Sequence, residues 1–311
     1  MSIARESGGN EVKKAIVTGG MGFIGRNLVR ELHQQGVYVI VVDKYLGDAA
    51  DDAMTRYIYC ELSDIRSLPE LIPDRDIDIV FHLAWQGVAD ADAGNYGVQL
   101  ANVQAVLDLL DAAKQMQIPS FLGAGSLHEI EGKIEMKAQK PICNPRFAYK
   151  AAKLAAHGFA KAKAGENGIR FLWPLITNTY GYGDRSNRLI NYFIRSVQSG
   201  QSPSLSAGEQ TYDFVYISDL AHALYLIGEK GEDGKDYMIG SGRLCPLRQW
   251  LEEAGKVINP EIKLGFGEIK SNVIYIPAEK FQYDSLFKIG FEPNISFEEG
   301  VKLTAQWLSD Q

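Results

Sequence analysis

One tyrosine and one lysine stand four residues apart in RFAYKAAKLAAH, Tyr149 and Lys153 between Arg146 and His157. The run is rich in alanine, leucine and lysine, which predicts a helix, and positions i and i+4 share a helix face. A free phenol has a pKa of about 10, and a neighbouring ammonium favours its anion. Such a pair could give and take a proton near neutral pH. The chain has 15 tyrosines, so a lysine at this spacing is expected about once by chance, and the pair alone equally describes two surface side chains.

A second group of residues could hold an anion. VTGGMGFIG places Gly19, Gly22 and Gly25 at the spacing G-x-x-G-x-x-G, behind an apolar run and ahead of a helical one. Glycine permits a tight turn and lets backbone N–H groups approach a pyrophosphate, and the helix N-terminus adds its dipole. This predicts a dinucleotide site. Asp43, 18 residues beyond Gly25, ends the next apolar run. An acidic side chain there accepts hydrogen bonds from the adenosine ribose hydroxyls and repels a 2′-phosphate, which favours NAD over NADP. Its plainer reading is a turn aspartate at a strand end, and Lys44 follows at once.

The elements that must position these residues read as an α/β pattern. KAIVTGG, VYVIVVD, YIYCEL, IDIVFHLA, SFLGAG and RFLWPLI are six short apolar runs. Helical stretches are expected over residues 23–35, 65–71, 96–115 and 145–163. Apolar strands alternating with helices imply right-handed βαβ units and a doubly wound parallel sheet. After about Thr177 glycine, serine and proline become frequent and the alternation fades, as in a smaller lobe. TYDFVYISDLAHALYLIGEK reads as a further strand and helix that rejoin the first part.

Composition sets outer bounds. The chain is 46% hydrophobic and 23% charged, an ordinary globular balance. A net charge of -7 argues against broad nucleic-acid or anionic-membrane binding. Cys60, Cys143 and Cys245 are scattered, with no C-x-x-C or Cys/His spacing for a metal, and fit a reducing cytoplasm. The opening MSIARESGGNEV is polar, without the apolar centre of a signal peptide, and reads as a flexible tail. No apolar run is long enough to span a membrane.

Taken together, the motifs TGGMGFIG, VVD, DIVFHLA, the Asn-Val pair at Asn102, AGS ending at Ser126, YKAAK, TNTYGYGD, YDFVYISDLA, YMIGSG and FEEG follow one another in a family order. From about Lys13 onward the chain resembles the extended short-chain dehydrogenase/reductases, the branch of NAD-dependent nucleotide-sugar epimerases, dehydratases and reductases. The resemblance implies a Rossmann domain over residues 13–177, joined by 211–230, and a mainly substrate-binding lobe over 178–311. It implies a triad: Ser126 bonding the substrate oxygen, Tyr149 as general acid/base, and Lys153 binding the nicotinamide ribose and lowering the tyrosine pKa. The backbone of Met21, Phe23 and Ile24 would surround the pyrophosphate with the glycines. Glu61 and Leu62 would flank the adenine, and Leu83, Ala84 and Trp85 would line the cofactor. Asn102 would be structural, and His82 a core residue. His128, Asn178, Arg188 and Lys270 are the substrate-side candidates.

Departures from the family pattern narrow the chemistry. Tyr212 stands where many relatives carry an arginine that clamps the diphosphate. Leu127 and His128 stand where sugar 4,6-dehydratases carry an Asp-Glu pair, which ranks dehydration low. Cys143 lies outside the place used for 3,5-epimerisation. The expected activity is therefore hydride transfer at C4 of a nucleotide-diphosphate sugar, as an epimerase or as a reductase of a 4-keto-6-deoxy sugar. A catalytically silent dinucleotide sensor or scaffold is the alternative of another class. The resemblance also implies a homodimer built on residues 99–115 and 145–163, which light scattering tests.

Overall fold

The computed structural model describes residues 11–88, 91–139, 141–270 and 274–311. Residues 1–10 of the expected tail lie outside it. Val12, assigned to the same tail, is instead buried and donates its N–H to Glu229 Oε1 at 3.3 Å, so the packed chain begins earlier than its polar neighbours suggest.

The six apolar runs form one sheet. Its strands are β1 (Lys14–Thr18), β2 (Tyr38–Asp43), β3 (Thr55–Tyr59), β4 (Ile79–His82), β5 (Ser120–Gly123) and, after the short β6 (Gly125–Ser126), β7 (Arg170–Leu172). They lie in the order β3–β2–β1–β4–β5–β7, with all neighbours parallel. The helices are α1 (Phe23–Gln34), α2 (Leu68–Leu71), α3 (Tyr96–Gln115), α4 (His128–Lys137), α5 (Phe147–Asn167), α6 (Leu189–Gln198), α7 (Ile217–Lys230), α8 (Leu247–Ile258), α9 (Asp284–Lys288) and α10 (Phe297–Ser309).

Both sheet faces are covered, which is why the strands are continuously apolar rather than alternating. Successive side chains point to opposite faces. Ala15, Val17, Val39, Val41 and Phe81 join the layer of α1 and α7, while Ile16, Ile40, Val80 and Phe121 join that of α3 and α5. Of the stretch 211–230, α7 packs on α1, and Arg170 of β7 donates to the carbonyls of Gly228, Glu229 and Gly231 at its end. Tyr96 and Leu100 on α3 and Phe159 on α5 remain exposed.

Two expected strands are cut short, and both breaks matter to the site. RFLWPLI divides at Trp173–Pro174, because proline has no N–H for the ladder. Its second half is β8 (Leu175–Ile176), and β9 (Asn178–Tyr180) follows. SFLGAG divides at Ala124, and β6 leaves the main sheet to pair with β8. Beyond these, β9 pairs with β10 (Phe214–Tyr216), and β8 with β11 (Met238–Ile239). Helix α4 is absent from the expected set. Trp250 of α8, fully buried, meets Phe297 of α10 at 4.5 Å between ring centroids and Phe214 of β10 at 5.6 Å, tying the helices of the C-terminal part to β10.

Candidate active site

Strand order reverses between β1 and β4, which opens a crevice at their C-terminal ends. Thr18 Oγ1 and His82 Nδ1 close the floor of that gap at 2.8 Å. Above it Gly19 turns with φ +70°, and a Cβ there would sit 2.7 Å from the Ala84 nitrogen. Gly22 N–H donates to Gly19 O at 3.0 Å. At Gly25 a Cβ would lie 2.1 Å from the same oxygen, so the loop folds flat only with glycine. Helix α1 starts at Phe23 without a side-chain cap, leaving the N–H groups of Phe23, Ile24 and Gly25 without intrahelical acceptors. Asp43, at the end of β2, reaches over this turn. Its Oδ2 accepts from Met21 N–H at 3.0 Å and its Oδ1 from Tyr45 N–H at 3.1 Å.

The structure joins this loop to the tyrosine–lysine pair through Trp85. Ala84 walls Gly19, and Trp85 follows it. The indole lies edge-on to Tyr149 at 6.2 Å, and Lys153 Nζ sits 3.6 Å from its ring centroid. Lys153 also donates to Ala124 O at 2.8 Å, the carbonyl exposed where β5 breaks from β6. Tyr149 and Lys153 are both buried on α5, not surface side chains. Ser126, at the end of β6, lies close enough for its hydroxyl to act on the Tyr149 phenol. Its Oγ also accepts from His128 N–H at 3.2 Å.

Burial dominates the electrostatics. It raises the Tyr149 pKa, against the opposing pull of the Ser126 hydroxyl and the charges of Arg188 and Arg146. In the ligand-free chain desolvation outweighs the nearby charges. Burial also pushes Lys153 down from 10.5 to about 7, while Glu129 pulls it up. His82 falls to about 3, through burial and then the Lys153 charge, and is neutral.

The other expected residues separate into two groups. His128 stands at the mouth of the cluster, ring edge toward Tyr149 at 5.8 Å, with Nδ1 held by Glu131 Oε2 at 2.8 Å. Arg188, exposed at the start of α6, is close enough for its charge to act on Tyr149. Leu83 N–H donates to Thr18 O at 3.1 Å, placing the segment from Leu83 to Trp85 along the crevice. Asn178, by contrast, spends its side-chain amide on Asp213 O at 3.1 Å. Glu61 and Leu62 lie past the end of β3, where Tyr59 Oη donates to Glu61 Oε1 at 3.3 Å. Lys270 is exposed, and nothing among the described residues ties it to the Ser126–Tyr149 cluster.

Of the supporting side chains, Asn102 was expected to be structural, and Gln99, Lys150 and Glu129 were not singled out from the sequence. Gln99 accepts from Trp85 Nε1 at 3.0 Å and donates to the carbonyls of Gln86, Gly87 and Asp92. Asn102 clasps both backbone groups of Gln86 at 2.9 Å. Lys150, buried, bonds Glu131 at 2.7 Å and Glu135 at 2.8 Å. Glu129 accepts from Ser126 N–H. The last had a signal: Ser126 and Glu129 are an S-x-x-E capping box, which also announces α4.

A family model described as the NAD dependent epimerase/dehydratase family matches residues 15–240. Among curated proteins, a dTDP-glucose 4,6-dehydratase of Haemophilus influenzae is 26% identical, covering 94% of this chain and 96% of that protein. A CDP-abequose synthase of Salmonella typhimurium is 24% identical, covering 92% and 95%. Among solved structures, a UDP-N-acetylglucosamine 4-epimerase from Methanobrevibacter ruminantium, in complex with UDP-N-acetylmuramic acid, superposes with a TM-score of 0.79 at 23% identity, covering 97% of this chain and 100% of that one. With a glycine turn at a switch point, a doubly wound sheet and a family model matching residues 15–240, the chain belongs to the NAD dependent epimerase/dehydratase family.

Proposed function

We propose that the chain carries out redox chemistry at C4 of a nucleotide-diphosphate hexose, with 4-epimerisation as the overall reaction. One observation carries this reading. Ser126, Tyr149 and Lys153 are gathered beside the glycine turn, linked to it through Ala84 and Trp85.

The residues present fit the family's cofactor. The uncapped first turn of α1 and the flat Gly19–Gly25 turn suit a pyrophosphate. Each Asp43 oxygen, already bonded once to backbone, keeps a lone pair for a ribose hydroxyl. Glu61 and Leu62, past the end of β3, would flank the adenine. When bound, NAD supplies the acceptor and then the donor of hydride. Lys153 would hold the second ribose. Tyr149 takes the proton from the C4 hydroxyl as that carbon is oxidised and returns it when the ketone is reduced on its other face. Ser126 holds the same oxygen in line. Burial keeps the phenol protonated in the ligand-free chain, and the ammonium of Lys153 and the Arg188 and Arg146 charges favour the phenolate at the moment of transfer. His128 and Arg188 contribute to the substrate side. Leu127 is buried among Met238, Ile276, Phe281 and Tyr283, so no acid stands there to eliminate water. The exposed Tyr96, Leu100 and Phe159 support a homodimer through α3 and α5.

A second reading is reduction of a nucleotide-linked 4-keto-6-deoxy sugar. The half-exposed His128 beside Tyr149 favours it, since a net reduction draws a proton from solvent and an epimerisation draws none. The test is the nucleotide released on denaturing the purified protein, followed by product analysis with nucleotide hexoses and their 4-keto-6-deoxy forms. Retained NAD with interconversion of C4 epimers supports the first reading. Stoichiometric consumption of added NADH or NADPH supports the second. Tyr149→Phe should lower turnover at least about a hundredfold while leaving nucleotide binding in place. Unchanged turnover in that variant refutes the catalytic assignment, and a chain that binds NAD but turns over no sugar is a sensor or scaffold.

A further inference from the structure

Lys153 is buried, and its Nζ donates to one backbone oxygen, Ala124 O at 2.8 Å. The rest of its surroundings are aromatic. Nζ stands over the Trp85 ring, 3.6 Å from the centroid, and 5.8 Å from the ring centroid of Trp173. An ammonium over an indole face is drawn to the negative charge of that face, and the attraction grows where water is excluded. Trp85 is itself held in place. Its Nε1–H donates to Gln99 Oε1 at 3.0 Å. Gln99 is buried, and its amide nitrogen is fixed by the carbonyls of Gly87 at 2.9 Å and Asp92 at 3.0 Å.

Lining a cofactor asks only for an apolar surface after Ala84, which a large aliphatic side chain would supply. It accounts neither for a ring face against the ammonium nor for a buried glutamine spent on the indole N–H. The titratable groups around Lys153 are His82 from β4, Tyr149 on its own helix and Glu129 from α4. We propose that Trp85, pinned by Gln99, is a positioning residue for Lys153: its ring face replaces part of the solvation that the buried ammonium has lost and fixes where that charge sits. The inference rests on the reading of Tyr149 and Lys153 given above, but its test needs no substrate. Burial drives Lys153 toward the neutral amine, and the contact with the ring acts against this. An uncharged amine would neither favour the Tyr149 phenolate nor hold a ribose as strongly.

Fluorinated tryptophan placed at position 85 alone keeps the shape of the indole while withdrawing charge from its face. The Lys153 titration is followed in the ligand-free protein by 13C NMR of lysine labelled at Cε, and assigned by the resonance lost in Lys153→Met. It should move to acid as fluorines are added, by about half a pH unit or more with four of them, roughly a threefold change in the protonation equilibrium. A titration that stays in place or moves to base overturns the proposal, because a ring serving only as a wall keeps its effect when its shape is kept. Should the fluorinated chain not fold, the Lys153 ε-protons of the unaltered chain decide. A displacement upfield by the ring current, lessened as the amine loses its proton, sustains the proposal. Undisplaced ε-protons overturn it. Failure of the catalytic reading would appear separately, as turnover surviving in Tyr149→Phe while the Lys153 titration still follows the fluorines.

Discussion

Replacing Lys153 by methionine should stabilise the ligand-free protein at neutral pH while removing its activity. Lys153 titrates near 10.5 in the unfolded chain and at about 7 in the buried site. Each pKa unit is worth about 1.4 kcal/mol. The sign follows from proton linkage. Below about pH 7 both states hold the proton and the folded state bears the full burden of a buried ammonium, about 4–5 kcal/mol from the difference between 10.5 and about 7. Between pH 7 and 10.5 the folded state has released the proton and the unfolded state has not, so stability climbs with pH. At pH 9.5 only about 1–2 kcal/mol of the burden remains. Methionine has a similar shape and no charge. It loses the bond to Ala124 O, made at 2.8 Å, which costs about 1–3 kcal/mol at either pH. The variant should therefore be more stable than the parent by about 1–3 kcal/mol at pH 7 and no more stable at pH 9.5. Urea unfolding of both proteins at the two pH values measures this, with equal m-values as the check on comparable unfolding. A loss of stability of the same size at both pH values would refute the buried-ammonium reasoning.

Two further predictions concern the nucleotide end. Gly25→Ala would place a Cβ 2.1 Å from Gly19 O. It should lower stability by about 1–3 kcal/mol and abolish measurable NAD binding in calorimetry; normal affinity would mean that the loop does not hold the pyrophosphate. Asp43→Asn keeps an oxygen for one of the two backbone donors, Met21 or Tyr45, and removes the charge that repels a 2′-phosphate. The ratio of NADP to NAD affinity should rise roughly tenfold or more, and an unchanged ratio would show that the preference lies elsewhere.

The candidate site was legible where its residues are close in sequence. Tyr149 and Lys153 fall one helical turn apart, and a helix was readable from alanine and leucine alone. Gly19, Gly22 and Gly25 declare a turn that no larger residue can make. Asp43 was placed by strand length. The supports of these residues were harder to read, because they are polar side chains whose meaning comes from burial. Gln99 pins the backbone after β4 from α3, beside Asn102, which the resemblance alone marked as structural, and nothing in a glutamine tells whether it faces water or a carbonyl. Helix α4 was overlooked because HEIEGKIEMK lacks an apolar stripe, although the capping spacing of Ser126 and Glu129 was in view.

Local chemistry in the sequence thus determined six apolar strands, the glycine turn, the pairing of Tyr149 with Lys153 on one helix and the parallel α/β class, since each depends on spacing within one element or on the alternation of elements. Only the tertiary structure decided the strand order and so the position of the crevice. It alone set the breaks at Ala124 and Pro174 that turn a carbonyl toward Lys153. It brought Trp85 onto that ammonium, buried Glu129 against Ser126, His157 and Trp173, and raised the Tyr149 pKa by burial. The reason is the same throughout: spacing can name an ionisable group, but its charge is set by how much water its neighbours exclude, and those neighbours come from distant parts of the chain.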